Sequence, residues 1–163
     1  MRIKKFCPKG RMTLTVYDAA GRRIAERRAR NIVLRQGAAI IAGLFSAAED
    51  AVPVNRVMVG FALEGATTET TALVPPPAEA GIPAEALESA VLPENFTVET
   101  DKPGAVSVRI ASVFKPSVEL TDVSEAGLLA GEKLYNQVVF EPVTLRPGQD
   151  VTFFWEIDFP FGH

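Results

Sequence analysis

Cysteine and histidine are almost missing from this sequence of 163 residues, which contains one of each. A lone Cys7 cannot form an intramolecular disulfide, and this usage is typical of a reducing compartment. Zinc in proteins takes several His or Cys ligands, so a zinc site is not expected. A Ser-His-Asp site would have to use His163, the final residue, as its base, and such a base is poorly oriented. We therefore predict no catalytic residue, no metal and no cofactor.

Long apolar runs are also lacking. No stretch approaches the roughly 20 apolar residues of a membrane-spanning helix, although 47% of the residues are hydrophobic. The first residues, Met1 to Pro8, are basic, but no apolar segment of a signal peptide follows them. We therefore predict no membrane span and synthesis in the cytoplasm.

Positive charge is concentrated at one end of the chain and is scarce elsewhere. Residues 1–35 contain eleven Lys or Arg and two acids, while residues 36–163 contain six Lys or Arg and eighteen acids. A basic patch of this kind binds nucleic acid or docks on an acidic neighbour. Nucleic acid is disfavoured because stacking aromatics do not alternate with the basic residues and no Gly-rich phosphate loop follows a strand.

The basic region has the pattern of a β-hairpin. Met12 to Tyr17 alternates apolar and polar side chains, Asp18 to Gly21 has the composition of a tight turn, and Arg22 to Arg30 is predicted to be the second strand. A helix from Arg22 to Arg30 is the alternative. The outer face of the hairpin is expected to display Arg23, Arg27 and Arg30.

A helix and an insertion are predicted in the middle of the chain. Apolar residues recur at helical spacing after Asn31, which predicts a helix over about residues 36–48 that covers a sheet. Gly37 and Gly43 weaken this helix, and we expect both to permit close approach to the sheet. Residues 74–94, rich in Pro, Ala and Glu, are predicted to be either a mobile loop or a contact segment that orders on assembly.

The C-terminal half is typical of antiparallel sheet. Ala105 to Phe114 and Asp150 to Phe159 alternate clearly, and in the latter the odd-numbered side chains are expected to face the core. With seven to eight short strands and one helix, the predicted fold is a mainly β, antiparallel β-sandwich. The predicted organisation is an N-terminal arm at residues 1–10 and a single β-sandwich domain at residues 11–163.

Carboxylates are plentiful but do not converge in the sequence. Glu156 and Asp158 lie two residues apart on the outward face of the last strand, where acids are far more often a solvated face than a catalytic pair. Phe154 shares this outward face and is predicted to be an exposed contact residue. Burial against a second layer is the alternative for Phe154.

Two stretches resemble a known class of structural proteins. One combines a helix with the patterns Asn31-x-Val33-Leu34-x-x-Gly37 and Val57-Met58-Val59-Gly60-Phe61. The other contains Glu125-Ala126-Gly127-Leu128, Gly131, Leu134-Tyr135, Phe140-Glu141-Pro142 and a closing strand, Thr152 to Ile157. Over residues 12–73 and 105–159 the chain resembles small tail-fibre and baseplate-associated proteins of tailed bacteriophages. The resemblance implies a structural part of a virion or phage-like particle, made in the bacterial cytoplasm, and implies nothing about catalysis.

We therefore predict a non-enzymatic structural subunit of a phage tail, baseplate or related particle. Opposite charges at its two ends suit head-to-tail packing of identical subunits, so the expected partners are further copies of the chain and other tail or particle proteins. A carbohydrate-binding or adhesive β-sandwich is the first alternative, and a nucleic-acid-binding domain that uses the basic hairpin is the second. The predicted interface residues are Arg23, Arg27, Arg28, Arg30, Glu79, Glu85, Glu88 and Phe154.

Overall fold

One curved antiparallel sheet dominates the computed structural model, which describes residues 8–65 and 67–162. In this part of the chain the sheet has ten strands, whose order is β4-β3-β7-β9-β2-β1-β10-β6-β5, with β8 paired to β7. The strands are β1 (Lys9–Tyr17), β2 (Arg23–Val33), β3 (Arg56–Gly60), β4 (Glu88–Ala90), β5 (Phe96–Glu99), β6 (Ala105–Phe114), β7 (Leu120–Ala130), β8 (Lys133–Leu134), β9 (Asn136–Leu145) and β10 (Asp150–Pro160).

The sheet curls into a half-barrel. The predicted two-sheet sandwich of seven to eight strands is therefore wrong, while the mainly β, antiparallel class with one helix is confirmed. The sheet is continuous because Ile32 and Val33 of β2 pair with Gln137 and Asn136 of β9. This short ladder joins a first half-sheet (β2, β1, β10, β6 and β5) to a second half-sheet (β4, β3, β7, β8 and β9).

The two edges of the curled sheet approach one another. Ser89 on β4 donates a hydrogen bond from its hydroxyl to the carbonyl of Val113 on β6, at 3.3 Å. Residues 91–95 then carry the chain from β4 to β5, the edge strand on the other side. The curl is thus stabilised by this hydrogen bond and by the chain segment that connects the two edge strands.

The hydrophobic core lies inside the curl. Phe153 and Trp155 on β10 are 0% exposed and stand opposite Leu14 and Met12 on β1. These side chains belong to one cluster with residues of the second half-sheet such as Leu128. The prediction that the odd-numbered side of β10 faces the core is confirmed for these two residues.

The α-helix, α1 (Arg35–Phe45), is shorter than predicted and ends before residue 48. A Cβ atom added at Gly37 would overlap the backbone carbonyl of Tyr135, so close approach requires glycine there. A Cβ atom at Gly43 would lie 3.5 Å from the Cβ of Ala51, which is an ordinary contact. Among the described residues, no helix is long and apolar enough to cross a membrane.

The segment at residues 74–94 is more structured than a single exposed loop. It contains the 3₁₀ turns Ala78–Ala80 and Ala84–Leu87, followed by β4. Leu87 is 8% exposed and belongs to the core. The sequence pattern missed β4 because three residues are too few to show an alternation.

The predicted N-terminal arm is only partly described. Residues 1–7, which include Cys7, lie outside the described part, as does His163. Strand β1 begins at Lys9, so the last two residues assigned to the arm belong to the sheet.

Candidate interaction surfaces

The basic face predicted from the sequence lies on the outer side of β2, beside β1. Arg28 stands opposite Thr13, and Arg30 stands opposite Arg11. Arg23, Arg28 and Arg30 are exposed. Three of the four predicted interface arginines are therefore exposed along one strand.

A β-bulge near the start of β2 decides which arginines share this face. Val16 stands opposite Ala25, whereas Tyr17 stands opposite Arg23, so Ile24 is an extra residue. A bulge shifts the alternation of the strand by one position. Arg23 consequently shares a face with the even-numbered arginines, while an unbroken alternation would have paired it with Arg27.

Arg27 is directed to the backbone of β9 and does not join the outer face. Its Nε donates to the carbonyl of Glu141 at 2.8 Å, and its Nη2 donates to the carbonyl of Pro142 at 3.0 Å. The ladder between β2 and β9 is confined to Ile32 and Val33, so the guanidinium spans the opening between the separated strands. Arg27 thus has a structural role within the subunit.

The outer face of β2 carries an excess of positive charge. Arg23 Nη1 lies 3.1 Å from one carboxylate oxygen of Glu26, and Arg28 Nε lies 2.8 Å from the other. Two arginines therefore share one acid. Arg30 has no ion-pair partner within residues 8–65 and 67–162.

The three predicted acidic contact residues are not equivalent. Glu79 and Glu85 are exposed, and in the described part of the chain neither forms an ion pair. Glu88 is half-buried, and its carboxylate lies 2.7 Å from Arg56 Nη1. Glu88 is thus engaged within the subunit, which leaves Glu79 and Glu85 free to contact a partner.

Glu156 lies in a ladder of alternating charges across the outer side of the first half-sheet. Its carboxylate is held by Arg11 on β1 and by Arg109 on β6, whose Nε is 2.9 Å away. Arg109 also reaches Glu99 on β5 at 2.8 Å. Burial is the largest influence and opposes ionisation, but the hydrogen bonds from Arg109 and Arg11, together with the positive charges of Arg11 and Lys102, outweigh it and lower the pKa of Glu156.

Asp158 lies two residues after Glu156 on the same outer face of β10 and is paired with a different cation. Lys102 Nζ lies 2.7 Å from its carboxylate, and the hydroxyl of Ser107 donates to it as well. Burial again opposes ionisation, and these two donors outweigh it, so the pKa of Asp158 lies below its usual range. Each acid of the predicted outward pair is therefore neutralised by separate basic residues.

Phe154 lies on the same outer face, between Thr13 on β1 and Ala111 on β6. Its side chain is 42% exposed, so one part of the ring faces solvent. An adhesive module needs exposed aromatic side chains, for which Tyr17, Tyr135, Phe154 and Phe161 are the candidates. Tyr135 is 3% exposed, whereas Phe161 is 54% exposed.

Glu125 is the feature that sequence reasoning missed. It is 0% exposed and accepts hydrogen bonds from the backbone N–H of Val74 and the side-chain amide of Gln137. The neighbouring Ser124 donates from its hydroxyl to the carbonyl of Ala62 at 2.6 Å. Residues 124 and 125 therefore hold Ala62 and Val74, at the two ends of a covering segment (residues 61–65 and 67–74), against the second half-sheet.

Burial is the main influence on the ionisation of Glu125. Desolvation raises its pKa, and the hydrogen bonds from Val74 and Gln137 only partly oppose this. Gly60 leaves the room that the carboxylate occupies, because a Cβ atom there would lie 2.8 Å from Glu125 Cγ. An acid placed directly before the apolar run at Ala126 was the signal in the sequence.

Acidic residues do not gather into a metal site in the described part of the chain, where no group of three or more His, Cys, Asp or Glu is placed to hold an ion. No family model matches the chain, and comparisons with curated proteins and with solved structures find no match.

Proposed function

We propose that this chain is a non-enzymatic structural subunit of a phage tail, baseplate or related phage-like particle. It assembles with further copies of itself and with other particle proteins. The observation that carries the proposal is the separation of surface charge. On the outer face of β2, Arg23 and Arg28 share Glu26, and Arg30 has no ion-pair partner among the described residues. Glu79 and Glu85 lie on the 3₁₀ turns and form no ion pair with any described residue.

Charge of this kind contributes little to the stability of the subunit. Exposed ion pairs are worth about 0–1 kcal/mol each, because solvent screens them and long side chains lose freedom. Matched positive and negative surfaces instead steer association and fix its register. The charge separation is therefore better explained by a contact between molecules than by folding.

The particle context is supported by the residues that resemble tail-fibre and baseplate-associated proteins. Gly37, Gly60 and Glu125 all lie where the helix or the covering segment packs on the second half-sheet. These residues therefore stabilise the packing of the domain. The resemblance to tail-fibre and baseplate-associated proteins thus lies in residues that maintain the fold, which fits a structural component of a particle.

Charge reversal of the basic face tests the proposal. We expect the wild-type protein to form a discrete oligomer in light scattering that weakens as salt rises from about 0.05 to 0.5 M, because the Debye length shortens. The triple variant R23E/R28E/R30E should stay monomeric while its circular dichroism is unchanged. The matched control R35E/K115E/K133E reverses three other exposed cations, which lie outside the basic face of β2, and should still assemble.

The outcome also separates the alternatives. A wild-type protein that is monomeric at every salt and protein concentration, or assembly that is unchanged in the triple variant, contradicts the charged self-contact. Binding to a glycan array would then favour the carbohydrate-binding alternative. Binding to duplex or single-stranded nucleic acid that weakens steeply with salt would favour the basic hairpin as a nucleic-acid surface.

A further inference from the structure

An open apolar groove lies where β3 ends and β7 begins. Its volume is about 540 Å³. Leu63 stands at its mouth and is 96% exposed, and Val74 is 46% exposed. Such exposure of large apolar side chains around a groove is typical of a surface that binds a partner. The apolar lining consists of Phe61, Leu63, Val74, Pro75, Pro76, Pro77, Ala80 and Ile82.

The rim of this groove is acidic. Glu119 and Asp122 line it, and Glu64 and Glu79 adjoin lining residues in the sequence. Glu119 is paired with Arg146 at 3.0 Å. Asp122, Glu64 and Glu79 have no ion-pair partner in the described ranges, so the rim favours an occupant that combines an apolar side chain with positive charge.

The turn between β1 and β2 has this combination. Ile24, the extra residue of the bulge, is 53% exposed, and Arg22 and Arg23 precede it. Their pairs with Asp18 at 2.8 Å and Glu26 at 3.1 Å involve arginine side chains that are 80% and 64% exposed. Such pairs are weak, so both arginines can turn to the acids of another molecule.

The groove and the turn lie at the same end of the domain. Tyr17, at the end of β1, pairs with Asp150, at the start of β10. Leu120, at the start of β7, pairs with Leu145, at the end of β9, and β9 leads into β10 at this end. Because Ile24 and Leu63 are both exposed in one molecule, the turn does not fill the groove of its own chain.

We infer that the turn of one copy docks in the groove of a second copy. Ile24 enters the apolar groove, and Arg22 and Arg23 lie against Asp122, Glu64 and Glu79. The inference rests on the proposed self-assembly. Because both surfaces are at one end, two copies related by a two-fold axis make the contact twice.

Phe45 is a poorer occupant of this groove. It is 95% exposed at the end of α1, but the charged residues that follow it in the sequence are Glu49 and Asp50. An acidic flank against an acidic rim is repulsive. Charge complementarity therefore selects Ile24.

The first test measures self-association of the full chain by sedimentation. Ile24→Lys and Leu63→Lys change exposed side chains, so the fold should persist, and each should weaken self-association by at least about tenfold through loss of apolar burial. The matched control is Val98→Lys, which changes a side chain that is 59% exposed on β5. It should associate as the wild type does.

The second test traps the contact between two different molecules. Ala20→Cys and Glu64→Cys are made separately in a Cys7→Ser background, which keeps Ile24 and Leu63 in place. Oxidation of the mixed variants should give a disulfide-linked dimer that contains one of each chain. Ala20→Cys mixed with Val98→Cys should give no such product.

The results separate this contact from the broader proposal. An oligomeric wild type whose mass is unchanged by Ile24→Lys and Leu63→Lys overturns the contact but leaves assembly in place. A wild type that is monomeric at all concentrations overturns both the contact and the proposed self-assembly. Loss of association in both variants, with the mixed disulfide, supports the contact.

Discussion

Glu125 and Glu156 are both nearly inaccessible carboxylates on the outer side of the curled sheet, yet their surroundings differ. Glu125 is 0% exposed and is held by two neutral donors, from Val74 and Gln137. Glu156 is 7% exposed and is held by two arginines. Burial raises the pKa of Glu125, whereas the arginines, together with the charge of Lys102, outweigh burial and lower the pKa of Glu156.

This difference follows from the groups that cover the outer face of each half-sheet. In the first half-sheet, Arg11 and Arg109 lie over Glu156, so the acid is covered by side chains that neutralise it. In the second half-sheet, the backbone N–H of Val74 lies against Glu125 and brings a dipole without net charge. The groups that cover the sheet therefore determine the role of each carboxylate: Glu125 holds a loop through neutral donors, and Glu156 forms ion pairs with arginines.

The largest expected effect comes from Glu125→Ala. The substitution leaves the N–H of Val74 and the amide of Gln137 without their acceptor and opens a cavity, which should lower the free energy of unfolding by about 2–4 kcal/mol. Urea unfolding followed by Trp155 fluorescence measures it. Glu64→Ala, an exposed acid, should change it by less than about 0.5 kcal/mol. Equal effects of the two substitutions would show that Glu125 does not anchor the covering segment.

A smaller effect is expected from Gly60→Ala, which tests the room that Glu125 needs. The added Cβ atom would lie 2.8 Å from Cγ and 2.9 Å from Cδ of Glu125, and such overpacking costs about 1–3 kcal/mol. Gly43→Ala is the control, because its Cβ atom makes an ordinary contact in a helix. In a Glu125→Ala background the cost of Gly60→Ala should shrink, and a double-mutant cycle measures this coupling. If the free-energy losses of the two substitutions simply add, Glu125 is not the group with which the added Cβ atom collides.

The smallest effect is a difference in pH dependence, and its sign differs between the two carboxylates. Glu125 has a raised pKa in the folded state, so its ionisation costs stability as pH rises above about 4. Glu156 has a lowered pKa, so its contribution is present above about pH 4 and is lost as pH falls below it. Unfolding free energies of the wild type, E125Q and E156Q should be measured from about pH 3 to pH 7.

With increasing pH, the advantage of the wild type over E156Q should grow, while its advantage over E125Q should shrink. Both changes should be smaller than the losses caused by Glu125→Ala and Gly60→Ala. Parallel pH profiles for the two variants would contradict the assigned directions of the pKa shifts.

Alternation predicted some strands well and failed at particular residues. The core side of β10 was predicted correctly because Phe153 and Trp155 follow an unbroken period of two. Arg27 was assigned to the wrong face because the bulge at Ile24 shifts that period. Nothing local in the sequence marks the bulge, since it depends on how β1 aligns with β2.

The half-barrel was missed for a related reason. Counting strands does not show whether they form one sheet or two, and here two residue pairs between β2 and β9 make the sheet continuous. At Gly37, by contrast, the sequence predicted the structural feature but not the residue that causes it. The sequence suggested close approach, and the backbone carbonyl of Tyr135 is the neighbour that requires it.

Composition and local pattern alone were sufficient for a mainly β, antiparallel domain with one helix, for the basic and acidic segments, and for the core side of β10. These properties depend on short-range periodicity and on charge, which neighbours in the chain already express. Only the tertiary structure decided four further properties: the curl of the sheet, the burial of Glu125, the contact of Arg27 with the backbone of β9, and the acidic rim around the apolar groove. Each of them depends on residues that are far apart in the chain and are brought together by strand pairing and packing.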